Sequence, residues 1–140
     1  MTYATQTDLV ERFGEAELAQ LSDRESGVVL DTAVITRALA DADAEIDAYL
    51  ATRYALPLAS VPAVLPRLAA DIARYWLFDD RVTDAVRNRY LDAVSLLKRL
   101  ASGEVRLDGA TTPPPAANGS VGVASRAPAR VFDADALSSY

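Results

Sequence analysis

Residues 32–58, TAVITRALADADAEIDAYLATRYALPL, decide the fold class of this sequence. Their apolar side chains recur every three or four positions, which is the spacing of one face of an α-helix. That face consists of Ile35, Ala38, Leu39, Ala42, Ile46, Tyr49 and Leu50. The pattern ends near Arg53, just before a proline that interrupts helical structure at position 57. We therefore expect a long amphipathic helix over residues 32–53 that runs into a corner.

Two further segments show the same periodicity. A second amphipathic helix is predicted over residues 63–79 and a third over residues 84–101. Thr83 is a suitable N-cap for the third helix, and Gly103 is a suitable stop. Shorter helices are expected within residues 5–22. Three long helices joined by short connections predict an all-α fold, an antiparallel bundle with short N-terminal helices in front of it.

The character of the sequence changes after the third helix. Residues 104–109, EVRLDG, are compatible with a short strand, and we expect the helical domain to end at residue 109. Residues 110–140 are expected to form an extended arm, because most of this segment is rich in Pro, Gly, Ser and Ala and offers little apolar surface for a core. The arm nevertheless ends in RVFDADALSSY, residues 130–140, which restores large apolar side chains.

That terminal segment is a candidate docking element. An extended tether that ends in aromatic side chains is typical of a segment that binds a partner. The alternative is that it folds back and covers the chain's own bundle. We expect the partner-binding residues of this segment to be Arg130, Val131, Phe132, Leu137 and Tyr140.

Composition narrows the possible chemistry. The chain has no histidine and no cysteine, which excludes His- or Cys-ligated zinc, a Ser-His-Asp triad and a thiol nucleophile. We expect no cofactor. With 14 basic and 20 acidic residues the net charge is −6, whereas a DNA-binding regulator would normally present a basic face. No run of about 18 apolar residues occurs, so we expect no membrane span, and the lack of cysteine fits folding in a cytoplasm.

The acidic run of the first long helix is a candidate metal site. Convergent carboxylates of neighbouring helices are the ligands by which all-α phosphohydrolases hold magnesium. On a helical wheel, however, Asp41 and Glu45 lie on one flank of the apolar face, and Asp43 and Asp47 lie on the other. At most two of the four carboxylates could face one metal ion. We therefore predict no catalytic or metal-binding residue. The alternative function is that of a small magnesium-dependent phosphohydrolase.

Arg53 lies at the foot of the apolar face, close to the predicted corner. An arginine stem can lie along apolar surface while its guanidinium finds a carboxylate or carbonyl oxygens. We expect Arg53 to pair with Asp71 of the next helix, or with carbonyl groups around Pro57, and so to hold the corner. By the same reasoning we expect Asp79 to find a cation at Arg37.

Four segments in the same order resemble a known family. They are MTYATQTDLVERFGEAELAQLSD, AEIDAYLATRYALPL, LPRLAADIARYWL and RVFDADALSSY. Together they resemble the Mu-like prophage family of small virion proteins, which is grouped with tail-completion and head–tail connector (adaptor) proteins of tailed phages. The resemblance implies that the corner consists of Tyr49, Leu50, Arg53, Tyr54, Pro57 and Leu58. It also implies that the terminal segment docks on the portal or on a neighbouring subunit through Arg130, Phe132, Leu137 and Tyr140. It brings no catalytic residue.

The resemblance also implies a function and a set of partners. We expect a non-enzymatic head–tail connector that forms a ring, usually twelvefold in such adaptors, beneath the portal protein. Its further partners would be a stopper or tail-terminator protein and other copies of itself. DNA would pass through the channel without specific binding, since carboxylates on its wall repel phosphates. The alternative is that the acidic residues only keep the protein soluble. The protein would be made in the host cytoplasm and would reside at the neck of the virion.

Overall fold

Short polar side chains cap three of the five α-helices in the computed structural model, which describes residues 1–111. Helix α1, Gln6–Phe13, begins after Thr5, whose hydroxyl accepts the Asp8 N–H while the Asp8 carboxylate accepts the Thr5 N–H. This reciprocal pair is a capping box, and it satisfies two backbone donors at the helix start. Gly14 separates α1 from α2, Glu15–Ser22, with a φ of 90° that glycine adopts without steric cost.

The three long helices occupy the predicted segments. Helix α3 spans Thr32–Leu50, α4 spans Val64–Phe78, and α5 spans Asp84–Ser102. The Asp31 carboxylate caps α3, the Thr83 hydroxyl caps α5, and Gly103 ends α5 in the left-handed conformation. Helix α3 stops three residues before the predicted end at Arg53, because residues 51–54 turn away from the helix axis toward the corner.

Helix α4 lies at the centre of the bundle. It packs against α3 and α5 and also contacts α1 and α2. The largest fully buried side chains are Leu9, Leu18, Ile35, Ile46, Leu50, Leu65, Leu68, Ile72, Leu97 and Leu100. Apart from Leu9 and Leu18 of the short N-terminal helices, these residues lie on the apolar faces of the three long helices, and the all-α helical bundle is confirmed. None of the helices formed by residues 1–111 is long and apolar enough to cross a membrane.

The chain after α5 returns over the corner between α3 and α4. Leu107 is buried there, and Val105 and Ala110 pack against the core. The Ala55 N–H donates to the Thr111 carbonyl oxygen at 3.3 Å. Residues 104–109 therefore form turns that cover the corner, and the short strand considered for them is absent. The arm predicted from residue 110 lies outside the described residues from residue 112 onward, so its extended form stays a prediction.

Candidate functional site

Tyr54 joins the corner to the returning segment. Its side chain is 3% exposed, and its hydroxyl accepts the backbone N–H of Leu107 at 3.1 Å. The Tyr54 N–H donates to the Leu50 carbonyl oxygen at 2.8 Å, which continues the last turn of α3. Tyr49 is half-buried and packs against the core, whereas Pro57 is exposed on the outside of the corner. The corner is therefore stabilised by the segment that follows α5.

The expected pair of Arg53 with Asp71 does not form. The guanidinium of Arg53 instead lies against Gly103, where an added Cβ would be 2.2 Å from Arg53 Nη1. The turn after α3 directs this side chain toward the end of α5 and away from the start of α4. The Arg53 Nε is buried and has no hydrogen-bond partner among residues 1–111. With Tyr54, Arg53 lines a pocket of about 280 Å³.

Asp71 lies in a different place, a groove of about 450 Å³ between α1, α4 and α5. We call it the cationic groove, and it is lined by Arg12, Phe13, Arg67, Leu68, Asp71, Arg89, Asp92 and Ala93. The Asp71 carboxylate is 4.0 Å from Arg89 Nη1. Burial raises the pKa of Asp71, and the neighbouring guanidinium groups, first that of Arg89, act against that rise. The groove thus combines an apolar floor with a rim of three arginines and two aspartates.

The acidic run of α3 is used in hydrogen bonds on two separate flanks, as its helical periodicity predicts. On one flank the Asp43 carboxylate accepts the Tyr3 N–H at 3.0 Å, and Asp47 accepts the Tyr3 hydroxyl. On the other flank Glu45 accepts the Tyr90 hydroxyl at 2.8 Å. Within residues 1–111 no three carboxylates form a group that could hold a metal ion. These side chains tie the N-terminal segment and α5 to α3.

Both tyrosines are held in their neutral form by this arrangement. Burial is the largest cause of a raised pKa for the Tyr3 and Tyr90 hydroxyls. The hydrogen bond that each donates, to Asp47 and to Glu45 respectively, raises the pKa further. A phenolate next to a carboxylate would bring two negative charges together.

An aromatic cluster lies on the Glu45 flank of α3. The rings of Tyr75 and Tyr90 are stacked with centroids 3.9 Å apart, and the Trp76 ring stands edge-on to Tyr90 at 6.3 Å. The Trp76 Nε1–H donates to Glu45 at 3.3 Å, yet the side chain is 47% exposed. Its exposed face borders a shallow depression of about 320 Å³. We call this the Trp76 surface, and it is lined by Asp41, Ala44, Glu45 and Trp76.

One further ion pair differs from the expectation. Asp79 pairs with Arg24 at 3.2 Å, and not with Arg37. Both partners are exposed, because α4 ends at Phe78 and Asp79 turns outward with a φ of 51°. This pair lies on the surface and adds little stability.

The five predicted docking residues, Arg130, Val131, Phe132, Leu137 and Tyr140, lie outside the described residues. Their role stays a prediction. The cationic groove, in contrast, is a feature that sequence reasoning missed. Arg12, Arg67 and Arg89 come from three different helices, and each looks in the sequence like an ordinary solvated charge at the edge of an apolar face. Only the packing of α1 and α5 on α4 brings them together.

Known proteins resemble most of the chain. A family model described as Bacteriophage Mu, Gp36 matches residues 3–125. The Mu-like prophage FluMu protein gp36 of Haemophilus influenzae is 42% identical over 105 residues, which cover 75% of this chain and 74% of that protein. Gene product J of Escherichia phage Mu is 37% identical over 105 residues, with 74% of each chain covered. These relatives support a phage structural protein. The chain belongs to the bacteriophage Mu Gp36 family.

Proposed function

We propose that this protein is a structural head–tail connector, or adaptor, of a Mu-like phage or prophage particle. It forms a homo-oligomeric ring, twelvefold as is usual for adaptors, beneath the portal protein. The ring continues the DNA channel and joins the head to a stopper or tail-terminator protein. The protein is made in the host cytoplasm and resides at the neck of the virion.

Membership of the Mu Gp36 family is the observation that carries this proposal. The resemblance seen in the sequence links this family to tail-completion and connector proteins. Two features of the chain agree with a structural role. Asp43, Glu45 and Asp47 are engaged in hydrogen bonds within the bundle, and the Trp76 surface and the cationic groove are available to other proteins.

The net charge suits a channel for DNA. The excess of six negative charges lies within residues 1–109, since the two arginines and two aspartates of the remainder cancel. A wall that carries carboxylates repels phosphates and keeps DNA from binding tightly during ejection. This function requires no specific recognition of DNA bases.

The first test removes the gene from a Mu-like prophage and restores it from a plasmid. We expect the deletion to yield DNA-filled heads and separate tails in electron micrographs, and the plasmid to restore joined particles. Peptides of the chain should be found in purified complete particles by mass spectrometry. Joined, infectious particles in the absence of the gene would contradict the proposal, and so would a chain that is absent from complete particles.

The second test addresses the docking segment in the full-length chain. Replacing Phe132, Leu137 and Tyr140 together by serine should prevent incorporation into particles while the circular dichroism signal of the helices stays unchanged. A large apolar side chain that is buried at an interface contributes about 2–3 kcal/mol, and a ring repeats that contribution in each subunit. Replacing Ser138 and Ser139 by alanine is the matched control. Normal incorporation of the serine variant would show that these residues do not dock.

A further inference from the structure

Two guanidinium groups of the cationic groove form no direct ion pair within residues 1–111. Arg12 and Arg67 make no ion pair within residues 1–111, and Arg89 reaches Asp71 only at 4.0 Å. Asp92 is exposed at the edge of the groove. The floor is formed by Phe13, Leu68 and Ala93. A groove with an apolar floor and unpaired guanidinium groups at its rim suits a partner that presents a large apolar side chain beside a carboxylate.

The Trp76 surface presents that combination. The indole ring is 47% exposed, and no lysine or arginine is among the residues that line the depression beside it. Asp41 is exposed and makes no ion pair with any residue the structure describes. Ala44 of α3 lies beside Trp76 and Asp41, and its small side chain leaves room for a partner to approach closely. Trp76 and Asp41 therefore form an acidic, aromatic surface opposite in charge to the rim of the groove.

The two surfaces face in different directions. Trp76 and Asp71 are five positions apart on α4, so their side chains point about 140° apart around the helix axis. A contact that joins one surface to the other links copies head to tail, and such a contact closes into a ring when the rotation between copies permits. In an isologous contact the same surface of two copies would meet, and the Asp41 carboxylate of one copy would lie near the same carboxylate of the other and repel it.

We propose that the Trp76 surface of one copy docks into the cationic groove of the next copy. The proposal rests on the proposed function, which requires copies of this chain to assemble. The groove of about 450 Å³ has room for the indole ring of Trp76 above Leu68, and Asp41 lies close to Arg67 or Arg12 of the neighbour. Tryptophan and arginine are the residues that most often dominate interface energies. The opposite charges orient the two copies and disfavour the reversed contact.

Cross-linking tests this contact, because the chain has no cysteine and introduced cysteines are therefore the only thiols that can react. Ala44→Cys labels the Trp76 surface and Asp92→Cys labels the edge of the groove, both at exposed positions. A short bismaleimide is added to purified full-length variants and to purified phage particles that carry them. We expect a ladder of covalent oligomers only from the variant with both cysteines. A mixture of the two single variants should give dimers.

Charge reversal then identifies the residues that hold the contact. In the two-cysteine background, Arg67→Glu should lower the yield of cross-linked oligomers about tenfold, because it places a carboxylate opposite Asp41. Adding Asp41→Arg to the same chain should restore the ladder. Lys98→Glu is the matched control, since it reverses an exposed charge on the side of α5 away from the groove and should leave the ladder unchanged.

The outcomes separate this contact from the connector function. Dimers from Ala44→Cys alone, no ladder from the two-cysteine variant in either preparation, or a ladder that is insensitive to Arg67→Glu would each overturn the proposed contact. If particles contain the chain but yield no ladder, the contact is wrong and the connector function stands. If the ladder forms in solution but the chain is absent from particles, the contact stands and the connector function is wrong.

Discussion

The guanidinium of Arg53 lies directly against Gly103, the residue that ends α5. A Cβ at position 103 would be 2.2 Å from Nη1 and 2.4 Å from Cζ of Arg53. Gly103 therefore adopts a φ of 81° that favours glycine, and its missing side chain leaves the space in which the Arg53 guanidinium lies. This relationship links the end of α5 to the corner after α3.

Gly103→Ala should lower the free energy of unfolding by about 2 kcal/mol. About 1 kcal/mol reflects the positive φ, and the remainder reflects the shift that the Arg53 guanidinium must make to clear the new Cβ. Gly27→Ala is the matched control, because Gly27 has a φ of 68° but its nearest neighbour would be 3.7 Å from the new Cβ. Urea unfolding followed by circular dichroism measures both variants. Equal losses would show that the contact with Arg53 contributes nothing.

Arg53→Met should change the free energy of unfolding by less than about 1 kcal/mol. The Arg53 Nε has no partner among residues 1–111, so the substitution leaves no carboxylate without its cation, and methionine keeps the apolar contacts of the stem. In the Arg53→Met background, Gly103→Ala should cost only about 1 kcal/mol, the part due to its φ. A loss above about 3 kcal/mol for Arg53→Met alone would indicate a buried ion pair.

Tyr54→Phe should lower the free energy of unfolding by about 1–2 kcal/mol. It removes the hydroxyl that accepts the Leu107 N–H and leaves that buried donor without a partner. Tyr49→Phe is the control, because no residue within 1–111 forms a hydrogen bond with the Tyr49 hydroxyl, and we expect a change below about 0.5 kcal/mol. Hydrogen exchange of the Leu107 amide should also become faster in Tyr54→Phe. An unchanged exchange rate would mean that the returning segment is held by other contacts.

The protein should lose stability at alkaline pH through Tyr3 and Tyr90. Burial and a neighbouring carboxylate raise the pKa of both hydroxyls above the value of 10.0 for an isolated tyrosine. In the unfolded chain the two hydroxyls ionise near that value. Their contribution to the free energy of unfolding is therefore complete below about pH 10, and it falls as the pH rises toward the folded-state pKa. Urea unfolding between pH 8 and about 11.5 measures the loss. The double variant Tyr3→Phe/Tyr90→Phe should show a shallower decline, and an identical slope would contradict the assignment.

Local interactions made the helices predictable from the sequence. Thr5, Asp31 and Thr83 each bond to backbone groups two or three residues away, and Gly103 ends α5 through its own left-handed conformation. The apolar faces that supply Ile35, Leu65 and the other core residues follow from the helical period alone. The same period separates Asp41 and Glu45 from Asp43 and Asp47, and the hydrogen bonds of Glu45, Asp43 and Asp47 lie on these two flanks of α3. All of these relationships lie within one helix or at its ends, so they can be read without knowing how the helices pack.

The sequence by itself therefore determined the three long helices, the cap and stop of α5, and most of the apolar side chains that the long helices bury. The tertiary structure alone decided which distant residues meet. Arg53 contacts Gly103 because α3 ends at Leu50 and the following turn directs Arg53 toward the end of α5. Asp71 faces Arg89 because α4 and α5 pack against each other. The cationic groove likewise exists only because α1 and α5 pack on the same side of α4. Such pairings depend on the crossing angle and register of the helices. Many side-chain contacts across the core together set this angle and register. The periodicity of a single helix does not encode those contacts.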